Sequence, residues 1–141
     1  LITFDGHKAT FDFKAARFPA SHQLRIHAPV AIEAKDANQT QVYVNVFSGS
    51  EKSTVKLRVG KGKWSELKKV REVDPYYLAL REAEIKAKST GLPMGGGTPS
   101  DHLWKGPLPA KNLLPGPHLL EAVTKDMYGR EFRATRVLRV E

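Results

Sequence analysis

Apolar and polar residues alternate along most of this chain, and a period of two is the signature of a strand with one dry face. Ala9, Phe11 and Phe13 alternate with Thr10, Asp12 and Lys14. Leu24, Ile26 and Ala28 alternate with Gln23, Arg25 and His27 until Pro29 ends the run. Val42, Val44 and Val46 alternate with Tyr43, Asn45 and Phe47. Both of these sets are largely apolar, so this strand is expected to be central and covered on both faces. Val55, Leu57 and Val59 alternate with Lys56 and Arg58. Gly60-Lys61-Gly62-Lys63 then forms a turn, and Trp64 and Leu67 begin the returning strand. Near the C-terminus two strand-like runs flank Asp126-Met127-Tyr128-Gly129. Asp126 can bond its own backbone in a turn, and Gly129 can take a positive φ at no steric cost. Beyond the turn, Phe132, Ala134, Leu138 and Val140 share one set with Arg136 as its polar exception. Short strands at close spacing, separated by turn residues, predict a mainly β fold: a β-sandwich of immunoglobulin or fibronectin type.

One segment departs from this rhythm. Asp74-Pro75 has the form of a helix start, with a side-chain acceptor followed by a proline at the first helical position. Tyr76, Leu80, Ala83 and Ala87 fall on one apolar stripe, and Glu82–Lys86 and Glu84–Lys88 are favourable pairs one turn apart. The helix is expected over about 75–88, stopped by Gly91 and Pro93, with a Gly-rich loop over about 89–101. The expected core comprises Phe11, Phe13, Leu24, Ile26, Val42, Val44, Val46, Val55, Leu57, Trp64, Leu120, Ala122, Phe132, Leu138 and Val140.

At 141 residues the chain reads as one domain, 1–141, and a domain of this size buries roughly 68% of its unfolded surface. It has no cysteine, so disulfides and thiolate metal sites are excluded, whereas the compartment is left open. No run approaches the roughly 18 apolar residues of a membrane span. The chain opens on a strand-like Leu1-Ile2-Thr3-Phe4, with neither an initiator methionine nor a signal peptide, which suggests a piece of a longer polypeptide. Basic residues outnumber acidic ones, 23 to 15, for a net charge of +8. They are spread along the whole chain, which reads as a solvated basic surface more than as a nucleic-acid patch.

Catalytic motifs are not found. Gly95-Gly96-Gly97 lacks the Gly-Lys-Ser/Thr ending of a phosphate-binding loop and reads as a connector. Among the five histidines, only His102 has a neighbouring carboxylate, Asp101, and adjacent strand residues point to opposite faces. No serine sits in a Gly-x-Ser-x-Gly elbow, and Glu82 and Glu84 do not face each other on a helix. Asn38-Gln39-Thr40 fits a glycosylation sequon, as many chance triplets do. Trp64, Tyr76, Tyr77 and Trp104 could stack on sugars or bases. However, Trp64 is placed as a core residue and Tyr76 as part of the helix stripe. Trp104, beside the Gly-rich loop, is the best candidate for a docking contact.

The order of these segments resembles the C-terminal domain of bacterial calcineurin-like metallophosphoesterases. The resemblance rests on TFDGHKATFDFKAARFP, VNVFSGSEKSTVKLRVGKGKW, DPYY opening a helix, SDHLW, and LPGPHLLEAVTKDMYGREF leading into RVLRVE. It implies a parent hydrolase, exported to the periplasm or cell envelope, whose catalytic domain holds two divalent metals. It also implies that the present chain is an accessory domain packed against that catalytic domain in the same polypeptide. The family's metal-binding motifs are Asp-x-His, Gly-Asp-x-x-Asp, Gly-Asn-His-Asp/Glu and Gly-His-x-His. They do not occur here as a set, and Asp5-Gly6-His7 stands alone, so no catalytic or metal-binding role is carried over to any residue. The helix together with Met94–Trp104, in particular Tyr77, Met94, His102 and Trp104, is the expected interdomain or ligand contact. Two alternatives remain open: a carbohydrate or envelope-polymer binding module, and a polyanion binder.

Overall fold

The computed structural model describes residues 1–88, 91, 94–110 and 112–141. Two sheets face each other. The first holds, in spatial order, β4 (Ala31–Ile32), β11 (Glu131–Val140), β10 (Gly116–Lys125), β6 (Thr54–Val59) and β7 (Ser65–Glu66). The second holds β3 (Leu24–His27), β5 (Gln41–Val46), β9 (Pro99–Pro107) and β8 (Lys68–Val73). A separate hairpin, β1 (Ile2–Asp5) with β2 (Lys8–Phe11), precedes them, and one helix, α1 (Pro75–Lys86), links β8 to β9. The sheets do not close into a barrel, and the chain is a β-sandwich carrying one helix, as the alternation predicts.

The core lies where the two inner faces meet. Val42, Val44 and Val46 of β5 oppose Val55, Leu57 and Val59 of β6, with Leu24, Ile26, Leu120, Ala122 and Leu138 completing the layer. Thr124 is also buried, and its hydroxyl donates to Thr54 O at 3.1 Å, so burial leaves no orphan donor. The strand β5 is central in its sheet, as expected. The row Arg25–Asn45–Leu103, set by strand register, runs across that sheet's outer face. There Asn45 Nδ2 donates to Asp74 Oδ2 at 2.5 Å, and the Arg25 guanidinium lies 4.0 Å over the Tyr76 ring. The start of α1 is thereby seated on the outside of the four-stranded sheet.

Several expectations are corrected. Phe11 and Phe13 are exposed, because their strand belongs to the outlying hairpin and the segment after it rather than to the sandwich. Trp64 is half-buried, covered on the surface by Arg58, whose guanidinium lies 4.4 Å from its ring centroid. Phe132 is only partly buried against the core edge. Trp104, Leu67 and Leu108 take their places in the core. The helix ends at Lys86 rather than Lys88, with Ala87 at its C-cap. Its start is as predicted: Asp74 accepts from Tyr76 N at 2.8 Å, and Pro75 occupies the first turn. Its apolar stripe, however, faces outward. Tyr76, Leu80, Ala83 and Ala87 are exposed, whereas Tyr77, Arg81 and Glu84 face the protein body. Of the expected stop signals, Pro93 lies outside the described residues, as does part of the loop over 89–101.

Candidate functional site

Two segments meet at the end of the sandwich where β5 ends and β6 begins, and a third starts beside them on the outer face of the four-stranded sheet. The first is the N-terminal stretch through β1 and β2. Phe47 N donates to Gln23 O at 3.0 Å, and the Phe13 and Phe47 rings lie 5.2 Å apart. The second is the tight turn between β10 and β11. Asp126 Oδ1 accepts from the backbone N–H groups of Tyr128 and Arg130, each at 2.9 Å, and Gly129 takes φ +84°, as the turn reading predicts. The third is α1. Arg130 joins the first two: it donates to Asp126 Oδ2 at 2.7 Å, to Asp12 Oδ1 at 2.5 Å and to Phe11 O at 3.2 Å. Tyr128 Oη accepts from Phe11 N at 3.1 Å.

These segments are unusually apolar on their surface. Sixteen large hydrophobic residues are exposed among those described, and twelve belong to these three segments. Leu1, Ile2, Phe4, Phe11, Phe13 and Phe18 come from the N-terminal stretch; Tyr76, Leu78, Leu80 and Ile85 from the helix; Met127 and Tyr128 from the turn. Phe4 is 73% exposed. Scattered exposed apolar residues are ordinary on a protein surface, whereas here most of them fall in three segments. The hairpin's share of this surface was missed in the sequence because Phe11 and Phe13 alternate as core residues do.

The four residues singled out from sequence are only partly brought together. Tyr77 donates its hydroxyl to Gly95 O at 3.1 Å. Met94 N donates to Glu84 Oε2 at 2.8 Å, and Arg81 Nε donates to Met94 O at 3.1 Å. Tyr77 and Met94 are therefore both used to tie the glycine segment to the helix. His102 is exposed, with Nδ1 2.9 Å from Gly49 O. Trp104 is 2% exposed, its indole packed on Gly49, so it is a core residue and presents no docking surface. The reason is alternation: Leu103 and Trp104 face opposite sides of a strand that is covered on both.

Among the described residues, no group of three or more histidine, aspartate and glutamate side chains is arranged to hold a metal ion. The perturbed carboxylates are engaged in structural pairs. A hydrogen bond from Tyr43, and next one from Lys105, holds Glu72 below its ordinary range. Arg58, with Arg133 after it, does the same for Glu121. Burial pushes the Asp126 carboxyl up, but the Arg130 side chain and the two turn N–H groups more than offset it, so its net shift is downward. A family model described as the C terminal of calcineurin-like phosphoesterase matches residues 1–132.

The chain belongs to this family. No curated protein matches it. In this phosphoesterase C-terminal domain, the matched range takes in the N-terminal hairpin, the helix and the first residues of β11, so all three apolar segments lie within it. Arg133–Glu141 continues β11 beyond the match.

Proposed function

We propose that this C-terminal domain packs against the catalytic phosphoesterase domain of the same polypeptide and supports it, contributing no catalytic group. The observation that carries this reading is the set of twelve large apolar side chains that hairpin, turn and helix leave exposed outside a core that is already complete. A surface of that composition gains stability by being covered, and the family supplies the occupant. The parent is read as an exported bacterial hydrolase whose two divalent metals sit in the catalytic domain, and the sandwich is read as immunoglobulin-like. A glycan-binding role would draw on Trp64, Tyr76, Tyr77 and Trp104, but Trp104 is buried, Trp64 and Tyr76 lie under Arg58 and Arg25, and Tyr77 is tied to Gly95 O.

The test uses the full polypeptide. Phe4→Ser, Phe11→Ser and Leu80→Ser combined should leave the fold of this domain intact, yet lower the thermal stability of the catalytic domain and expose the interdomain connection to protease. Unchanged protease resistance and unchanged activity in that variant would defeat the docking proposal. Metal analysis and cell fractionation of the same polypeptide check the chemistry and location.

A further inference from the structure

A cleft of about 580 Å³ opens along the side of the sandwich, between β3 and the first half of β11, with Tyr76 at its margin. Its charged and titratable lining comprises Arg25, Arg133, Arg136, His22 and His27, without a carboxylate. Arg133 is committed elsewhere, donating to Glu121 Oε1 at 2.9 Å. By contrast, among the described residues neither Arg25 nor Arg136 has a carboxylate within 4.0 Å. Arg136 is the polar exception in the inward set of β11. It reaches across the gap to Ile26 O through one long Nη1 bond of 3.4 Å, and its buried Nε has no partner. A half-buried guanidinium with so few acceptors is uncommon, since buried charge is normally paired. Arg25 is held on the Tyr76 ring at 4.0 Å, which fixes its position without using its N–H groups. His27 lies on the same strand as Arg25, and burial, followed by the Arg136 charge, pushes its imidazole pKa down against the opposing pull of Asp74.

We propose that this cleft is an oxyanion site, taking a phosphate group between the Arg25 and Arg136 guanidiniums with His27 as a further donor. Two guanidinium forks lining one cleft suit a phosphate, since each can donate parallel N–H bonds to its several oxygens. The arginines belong to β3 and β11, and the cleft shares only Tyr76, which holds Arg25, with the apolar surface of the docking proposal.

Inorganic phosphate and glycerol phosphate, titrated into the 141-residue chain at low ionic strength, are the probes. Calorimetry should show saturable binding of both, and amide resonances of Arg25, Ile26, His27 and Arg136 should shift. Arg25→Gln and Arg136→Gln should each weaken binding by at least about tenfold, the scale of one lost charge-assisted bond. Lys61→Gln, in the turn after β6 and away from the cleft, should leave it unchanged. Arg25→Gln is the safer variant, because its side chain is not buried in the sandwich. Absence of saturation by about 10 mM phosphate, or equal affinity in Arg25→Gln and the wild-type chain, overturns the proposal. Vesicles containing phosphatidic acid form the second arm: retention on them without binding of free phosphate would overturn assignment to a small ligand.

Discussion

Trp104 packs its indole directly on Gly49. A β-carbon at position 49 would stand 2.6 Å from Cη2 and 2.7 Å from Cζ3, and 3.0 Å from Val46 O. The ring is enclosed by the core and the peptide oxygen belongs to a fixed strand, so neither can yield cheaply. Gly49→Ala should therefore destabilise the domain by about 1–3 kcal/mol, the usual scale of overpacking. Denaturant unfolding of the single variant measures this, and a midpoint equal to the wild type would contradict the packing described.

The two tryptophans should respond very differently to truncation. Trp104→Ala empties a core position and should cost about 3–5 kcal/mol. Trp64→Ala removes a half-buried ring and its contact with Arg58, with an expected loss nearer 1 kcal/mol. Parallel unfolding curves decide, and the sequence-based expectation, in which Trp64 was the core residue, predicts the reverse order.

Asp126 gives the domain an acid-sensitive joint. Its folded-state pKa lies below the unfolded value, so its stabilisation is present at neutral pH and is lost as pH falls through the folded value. The loss should begin below about pH 4. Asp126→Asn should flatten the acid limb of a stability-against-pH curve. Asp126→Ala should cost about 2 kcal/mol at neutral pH, because the bonds to the Arg130 side chain and the turn amides go together. A wild-type acid limb retained in Asp126→Asn would show that other carboxylates govern it.

Gly97 is the point where the glycine segment closes on the helix. It takes φ +85°, and a β-carbon there would lie 2.6 Å from Val73 Cγ1 and 2.9 Å from Tyr77 Cε1. Gly97→Ala combines backbone strain with a clash, for a cost of about 1–3 kcal/mol. Hydrogen exchange should speed up first in α1, while β5, β6 and β10 keep their protection. Uniform loss of protection would mean that the helix is not separately docked.

The sandwich was legible because its signal is a property of side chains alone. Val42-Val44-Val46 and Val55-Leu57-Val59 announce a dry face wherever their partners come from. The turn at Asp126–Gly129 was equally legible, since one carboxylate and one glycine carry its chemistry. The orientation of α1 was not. Its inward residues, Tyr77, Arg81 and Glu84, bond to the backbone of Gly95 and Met94, and a backbone partner leaves no mark in residue type. Apolar spacing therefore pointed to the wrong face. Trp104 was misread for a related reason: proximity to a glycine run suggested exposure, whereas the strand it sits on is covered on both sides. The hairpin phenylalanines alternate like core residues, and nothing local reveals that their strand stands outside the sandwich.

The short strand β4 pairs only with Arg139 and Val140 at the end of β11, leaving the preceding stretch without a neighbouring strand on that side. Exposed strand margins invite another copy of the chain to add on and continue the ladder. Here that margin faces β3, and the Arg136 side chain spans the gap to Ile26 O. A strand added there would first have to displace this side chain, so the guard against self-association is steric, and shortening Arg136 rather than adding salt is what should lift it.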